Sequence, residues 1–166
     1  RRFPNLFDLF LDEILFVSNV KYLFFRTAAG KRLWAAFWPS RVPQPVAWVG
    51  GACMMIRRAQ MEAIGLFDDH YFFYREDCDL CLRIQKKGWE VVYHPECRFT
   101  HRWGYSSQKN PEKVSMEGRR SLLYYFQKHG GPFGFQIAKL LVLGGLWLRA
   151  ALLGLGGLFR KDFRGK

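Results

Sequence analysis

Acidic residues are scarce in this sequence. Its 166 residues include only 14 Asp and Glu against 26 Lys and Arg, which gives a formal net charge of +12 at pH 7. Such a surplus of positive charge favours anionic partners, namely nucleic acid, anionic lipid headgroups or nucleotide phosphates. The net charge by itself does not choose among these three.

Cysteines are also few, and no secretory signal pattern is visible. Two of the four cysteines, Cys78 and Cys81, fall in a predicted helix, where they are poorly placed for a framework of disulfides. This argues against a disulfide-stapled secreted module, and we expect a reducing, cytoplasmic setting. The chain opens on Arg1 and Arg2 without a Met and enters a helical pattern at once, so we expect it to be a piece of a longer protein.

Long uninterrupted apolar runs are missing as well. Residues 131–166 are strongly apolar, but the charge-free run between Lys139 and Arg149 covers only residues 140–148, whereas a spanning helix needs roughly 20 residues. With the basic tail RKDFRGK, this pattern predicts a helix that lies on the inner face of the membrane as a peripheral anchor. Packing of the same helix against protein is the alternative.

The apolar content, 49% of residues with 17% aromatic, is sufficient for the core of one modest domain. Apolar periodicity predicts helices over residues 3–25, 59–64, 76–87 and 114–129, and strands over residues 46–58 and 89–94. Residues 26–45 carry scattered basic residues and several prolines, and they predict an irregular connector.

The stretch YREDCDLCLRIQKKGW, residues 74–89, contains three acids at the start of a predicted helix. Carboxylates in the first turn of a helix satisfy free N–H groups and the macrodipole, and Asp79 can also pair with Arg83 at i,i+4. Asp77 differs from the other acids because it lies at the end of the helix's apolar stripe. An acid at the edge of a core is well placed to meet a ligand.

The same stretch begins a string of Cys and His that comes close to a zinc finger: Cys78, Cys81, His94, Cys97 and His101. Six residues separate the two histidines, outside the usual spacing of about three to five. The helical pattern around the cysteine pair favours burial of both as small apolar residues. A zinc-dependent nucleic-acid-binding module stays open as an alternative.

Helix and strand lengths indicate which residues meet Asp77. A helix of about eleven residues is roughly 16 Å long, and the strand that follows travels a similar distance back. The chain between His94 and His101 should therefore return to the level of Asp77. A carboxylate and an imidazole at one place can act as a base and a metal ligand.

Between residues 46 and 129 the sequence resembles the second half of family 2 glycosyltransferases with the GT-A fold, especially bacterial rhamnosyltransferase-like enzymes of cell-surface polysaccharide synthesis. The features that carry the resemblance follow one another in order: an R-R after small residues, G-L-F-D-D, F-Y, E-D-C-D-L-C-L-R, G-W, V-V-Y-H-P, and a His before a loop with Gly and Ser.

The resemblance implies an α/β fold, namely the C-terminal portion of a Rossmann-like GT-A domain with flanking amphipathic helices. Residues 1–45 would form a helical segment and connector, 46–130 the acceptor-side and catalytic half, and 131–166 an apolar, basic, membrane-associated helical tail. We expect the donor-binding half, with its D-x-D metal motif, to lie outside this chain, and the chain alone to catalyse little.

The resemblance also implies roles for particular residues. Asp77 corresponds to the general base that deprotonates the acceptor hydroxyl, and Glu76 to a neighbour that shapes the site. His101 corresponds to a ligand of a divalent metal, Mg²⁺ or Mn²⁺, beside the donor diphosphate. Substrate-binding positions near the acceptor are Gly50, Gly51, Ala52 and Arg83, and positions in a loop over the donor are Trp103, Tyr105 and Ser106.

The implied function is an inverting, metal-dependent glycosyltransferase of cell-surface glycan synthesis. It would move a sugar, rhamnose by family likeness, from a nucleotide-sugar to a lipid-linked or polysaccharide acceptor. The expected partners are these two substrates and the membrane surface, and not nucleic acid. A non-catalytic membrane-surface domain is the further alternative.

Overall fold

The elements that position the site come from a computed structural model, which describes residues 2–17, 24, 27–30, 32, 42–101 and 110–162, with side chains as far as residue 154. In chain order they are α1 (Leu6–Glu13), β1 (Gln44–Pro45), α2 (Arg58–Ala63), α3 (Glu76–Lys86), β2 (Val92–Tyr93), α4 (Pro111–His129) and α5 (Gly131–Asp162).

Helix α1 covers only the first part of the apolar pattern in residues 3–25. Asn5 begins α1 by accepting a hydrogen bond from the Asp8 N–H at 2.8 Å, as an N-cap residue does. After Glu13 the chain leaves the helical conformation, since Phe16 has a left-handed backbone with φ 53°. The interruption at residue 16 agrees with the prediction of one or two helices across residues 3–25, of which residues 18–23 and 25 lie outside the described part of the chain.

The two predicted strands are largely replaced by irregular backbone. In the described residues the sheet consists of β1 and β2, antiparallel, with Gln44 opposite Tyr93 and Pro45 opposite Val92. The predicted strand 46–58 is wrong, and β1 lies in the predicted connector. Gln85 of α3 donates side-chain hydrogen bonds to the carbonyls of Val46 and Ala47, at 2.9 and 3.1 Å, so a side chain takes the place of a neighbouring strand.

Helix α3 agrees closely with the prediction. It runs from Glu76 to Lys86 and is followed by Gly88 at φ 80°, a conformation that glycine adopts without strain. Its buried residues include both cysteines, Leu80 and Ile84, which confirms the interpretation of the cysteines as core. Burial raises the pKa of the Cys78 thiol to about 12, and the charge of Asp77 adds to the shift.

Helices α1, α4 and α5 pack together around a hydrophobic core that is separate from the buried residues of α3. Leu9, Leu122, Phe126, Ala138 and Val142 are its buried members. The contact between α1 and α5 is close because Gly145 lies directly against Glu13. A Cβ added at Gly145 would approach the Glu13 carbonyl oxygen to 2.6 Å, a distance at which the backbone must move.

We expect Gly145→Ala to lower the free energy of unfolding by about 1–3 kcal/mol, the usual cost of overpacking, although alanine favours helix. Urea titration followed by circular dichroism measures this difference. Gly154→Ala on the same helix is the matched control, because nothing lies within 4 Å of its added Cβ; it should be neutral or stabilise by up to about 1 kcal/mol. Equal effects of the two substitutions would contradict the close contact of α1 and α5.

Candidate functional site

An open cleft of about 1760 Å³ lies between the segment that follows β1, the start of α3, the chain after β2 and one face of α4. The α4 residues that line it include Ser115, Gly118, Arg119 and Leu122, spaced three and four residues apart as one helix face requires. The remaining walls combine apolar side chains with a few charged ones. The predicted base, Asp77, is among the lining residues.

Backbone hydrogen bonds hold the Asp77 carboxylate at both oxygens. The Gly51 N–H donates to Oδ2 at 3.0 Å, and the Cys78 N–H donates to Oδ1 at 2.8 Å. Each carboxylate oxygen has two acceptor positions, so both oxygens can still accept a hydrogen bond from a substrate hydroxyl. The first turn of α3 further favours negative charge at this position.

The backbone that leads into α3 is strained. Tyr74 and Arg75 are consecutive non-glycine residues in the left-handed conformation, with φ 66° and 75°. Such conformations cost about 1–3 kcal/mol each and concentrate at functional sites. The Tyr74 ring packs against α4 where Gly118 leaves room, since a Cβ there would lie 3.2 Å from Tyr74 Cδ2. Tight packing therefore holds the turn that presents Asp77.

Glu76 lies beside Asp77 and is half-buried. Burial raises its pKa above the ordinary value, and the negative charge of Asp77 acts in the same direction, while Arg75 opposes it. Its Oε2 atom is buried and accepts no hydrogen bond from the residues that the structure describes. Glu76 therefore takes up a proton more readily than an exposed glutamate does.

The structure brings most of the predicted site residues to one place. Lining the cleft together are Gly50, Gly51, Ala52, Glu76, Asp77 and His101. Trp103, Tyr105 and Ser106, predicted to contact the donor, lie outside the described residues. The roles assigned to all these residues stay predictions.

Arg83 is not among the residues that line the cleft. Its Nε donates to Asp79 Oδ2 at 2.8 Å, which confirms the predicted i,i+4 pair. Its two terminal nitrogens donate to the carbonyls of Ile64 and Leu66 in the turn after α2. These contacts give Arg83 a structural role, and its assignment to substrate binding stays a prediction.

The described residues do not fit a complete metal site. No group of three His, Cys, Asp or Glu side chains is arranged to hold a metal ion in this part of the chain. His101 is exposed on the cleft wall, where it could contribute one ligand. The metal role of His101 stays a prediction.

A buried charge network lies behind the cleft, and sequence reasoning missed it. Asp79 is 0% exposed, and besides Arg83 it contacts Lys128 Nζ at 2.8 Å and His129 Nε2 at 2.7 Å. Lys128 also contacts Asp68 Oδ2 at 2.6 Å. The network thus ties the first turn of α3 to the end of α4, 50 residues further along the chain.

The pKa shifts in this network follow from its contacts. Burial alone would raise the pKa of Asp79, but hydrogen bonds from Lys128, His129 and Arg83 outweigh it and hold that pKa below the ordinary value. For His129, burial is the largest cause of a lowered pKa, opposed by Asp79. A neutral His129 donates from Nε2 to Asp79 and can accept at Nδ1 from Lys86 Nζ, which lies 3.3 Å away.

The chain matches the family described as "Glycosyltransferase like family 2" over residues 31–122. This match covers more than half of the chain, so the chain belongs to that family. The family predicted from the E-D-C-D-L-C-L-R motif is confirmed, and membership implies the GT-A fold.

Curated relatives in this family include rhamnosyltransferases. The chain is 33% identical over 89 residues to N-acetylglucosaminyl-diphospho-decaprenol L-rhamnosyltransferase from two strains of Mycobacterium tuberculosis, a match covering 53% of this chain and 29% of that protein. It is 38% identical over 56 residues to rhamnosyltransferase WbbL of Escherichia coli K12, covering 34% of this chain and 21% of that protein. The chain thus matches less than a third of the length of each relative. No solved structure matches it.

Proposed function

We propose that this chain carries the acceptor side and the catalytic base of an inverting, nucleotide-sugar-dependent glycosyltransferase. The observation that carries the proposal is the Asp77 carboxylate, held at the cleft by the N–H groups of Gly51 and Cys78. A general base must be held within hydrogen-bond reach of the proton that it takes. Small side chains at Gly50, Gly51 and Ala52 leave space for an acceptor sugar beside it.

In the proposed reaction, an acceptor hydroxyl donates a hydrogen bond to Asp77. The carboxylate takes the hydroxyl proton as the oxygen attacks the anomeric carbon of the donor sugar. The bond from that carbon to the nucleoside diphosphate breaks on the opposite face, and the diphosphate leaves with the electron pair. A single displacement of this kind inverts the anomeric configuration.

For substrates, we propose rhamnose as the transferred sugar and a lipid-linked diphosphate sugar as the acceptor. The names of the relatives support this choice, since they are rhamnosyltransferases and one is named for an N-acetylglucosaminyl-diphospho-decaprenol. A nucleotide-sugar donor agrees with the donors that enzymes of this family generally use. Dependence on a divalent metal stays a prediction.

The test is a transfer assay with the complete gene product, however far it extends beyond these 166 residues. The assay supplies a nucleotide-activated rhamnose and a lipid-diphosphate N-acetylglucosamine, and mass spectrometry and NMR identify the product and its anomeric configuration. We expect one added rhamnose with inverted configuration. Retention of configuration would exclude the single-base mechanism, and no transfer of any sugar to a lipid-linked or polysaccharide acceptor would exclude the function.

We further propose that α5 holds the protein on the cytoplasmic face of the membrane. Phe133, Leu140 and Trp147 recur every seven residues on this helix and are 84%, 69% and 76% exposed, so they present one apolar face. The 24-residue segment Gly131–Gly154, with a mean hydropathy of 1.7 over its most apolar 18 residues, is by length and composition also able to cross a membrane. A helix that lies on the membrane surface without crossing it agrees with the charges at Lys139 and Arg149.

Trp147→Ser should weaken binding to phosphatidylglycerol vesicles about 10-fold or more, since burial of a large apolar side chain contributes roughly 1.5–3 kcal/mol. Co-sedimentation over a range of lipid concentrations measures the change. Gln136→Ser is the matched control, because it alters an exposed polar residue of the same helix and should leave binding unchanged. Unaltered binding of the Trp147 variant would contradict docking by this face.

A further inference from the structure

Two arginines of the cleft wall each have a side-chain N–H group without a hydrogen-bond acceptor among the described residues. The Nε atoms of Arg75 and Arg119 are buried and donate no hydrogen bond to any of the described residues. An unpaired buried donor is costly, and in native proteins such a group calls for a bound ion or water. Both arginines line the cleft that contains Asp77.

The two guanidinium groups lie at the same part of the cleft. Glu13, Trp48, Arg75 and Leu122 line both the cleft and an adjoining cavity of about 330 Å³, so they form the wall between the two. Arg119 lies one turn before Leu122 on α4, and its Nε is 3.8 Å from Glu13 Oε1. Glu13 thus contacts Arg119 and belongs to the same wall as Arg75.

Two arginines, Arg119 and Arg149, share the Glu13 carboxylate. Arg149 pairs with Glu13 through NH1 and also donates to the Asp12 carbonyl, which leaves Arg119 at a distance too long for a hydrogen bond. Asp8 and Asp12 line the adjoining cavity and not the cleft. On the cleft side, Glu76 and Asp77 follow Arg75 in the chain, and burial disfavours the charged form of Glu76.

The Arg119 side chain is 24% exposed, so it reaches the cleft. Its NH1 donates to the carbonyl and hydroxyl oxygens of Ser115, one turn earlier on α4. These bonds fix the orientation of the planar guanidinium. A fixed guanidinium offers parallel donors that match the oxygens of a phosphate group.

We propose that Arg119 and Arg75 form a diphosphate-binding site at the part of the cleft bordered by α1 and α4. This inference rests on the proposed function, because a diphosphate is present in both substrates of such a reaction. The site lies in the cleft that also contains the Asp77 carboxylate. A lipid-linked acceptor would place its sugar at Asp77 and its diphosphate at Arg119.

Binding of inorganic pyrophosphate, measured by isothermal titration calorimetry, tests the site without turnover. We expect Arg119→Gln to raise the dissociation constant about 10-fold or more, the effect of losing a charge-assisted pair of hydrogen bonds. Arg120→Gln is the matched control, because it removes the same charge from the neighbouring residue, which pairs with Glu117. Its dissociation constant should stay within about 2-fold of the wild type.

The proposed site would be refuted if Arg119→Gln and Arg120→Gln lost the same affinity for pyrophosphate, or if the wild type did not bind pyrophosphate. Arg119→Gln is compared only after its circular dichroism spectrum and thermal unfolding match the wild type. If that variant does not fold, NMR of the wild type with ¹⁵Nε-labelled arginine decides: pyrophosphate should shift two Arg Nε–H signals, and unshifted signals would overturn the proposal.

Two further titrations distinguish the source of the diphosphate. Farnesyl diphosphate stands for a lipid-linked acceptor, and thymidine diphosphate for the departing nucleotide. If the site serves the acceptor, Arg119→Gln weakens farnesyl diphosphate binding and leaves thymidine diphosphate binding intact; the reverse result assigns the site to the donor and overturns the acceptor placement. Because Asp77→Asn should not alter pyrophosphate binding, loss of transfer activity and loss of this site are separate outcomes.

Discussion

Asp77→Asn should lower the turnover number of the complete gene product by about 10²–10⁴-fold, the usual contribution of a general base. The amide cannot accept the hydroxyl proton, although it is nearly the same size as the carboxylate. Steady-state transfer of rhamnose to the lipid-diphosphate acceptor measures the loss. The affinity for substrates should change much less than the turnover number, because the shape of the cleft is preserved.

Asp69→Asn is the control for this substitution, since Asp69 is exposed and lies outside the cleft lining. It should leave turnover unchanged. Asn at position 77 has one acceptor oxygen in place of two, so one of the hydrogen bonds from Gly51 and Cys78 is lost, at a cost of about 1 kcal/mol in stability. Normal turnover by a folded Asp77→Asn variant would refute the assignment of Asp77 as the base.

Asp79→Ala should lower the free energy of unfolding by about 3–5 kcal/mol, the cost of removing one partner from a buried ion pair. The side chain of Asp79 is fully buried, and its removal leaves Arg83, Lys128 and His129 without their shared carboxylate. Glu62→Ala is the matched control, because Arg58 and Glu62 form the same i,i+4 pair on the surface, with side chains 89% and 58% exposed. That pair should contribute only about 0–1 kcal/mol.

The contribution of this charge network to the free energy of unfolding should also depend on pH. Burial alone would raise the pKa of Asp68, but hydrogen bonds from Lys128, His70 and Tyr124 outweigh it and hold that pKa well below its ordinary value; the pKa of Asp79 is lowered too. A carboxyl with a lowered pKa in the folded state contributes stability above its unfolded pKa of about 4 and loses it as the pH falls towards the folded pKa. The Asp79→Ala variant should therefore differ less from the wild type at pH 3 than at pH 7. A constant difference would contradict the network.

The local features of helix α3 were predictable from sequence. The bounds of α3, the glycine after it, the burial of Cys78 and Cys81, and the pair of Asp79 with Arg83 all depend on residues within one or two helical turns. Spacing in sequence translates directly into spacing on a helix, so such contacts follow from the pattern. The family also followed from this stretch, since its motif is contiguous.

The strand at residues 46–58 shows where this reasoning fails. Its β-branched and small residues favour extended backbone, but a strand needs a neighbour to pair with. In the described structure the side chain of Gln85 and the carboxylate of Asp77 take up the hydrogen bonds of Val46, Ala47 and Gly51. Nothing in the local pattern indicates these partners, which lie 26 to 39 residues away.

The sequence by itself determined that Asp77 lies in the first turn of an amphipathic helix, that Cys78 and Cys81 are core residues and that the chain belongs to family 2 of the glycosyltransferases. Only the tertiary structure decided how Asp77 is held, through the N–H of Gly51, and how its helix is anchored, through Asp79 with Lys128 and His129. It also decided that Arg119 of α4 approaches Glu13 of α1. The physical reason is that these contacts join distant segments, whose meeting depends on the packing of α1, α4 and α5 and on no local periodicity.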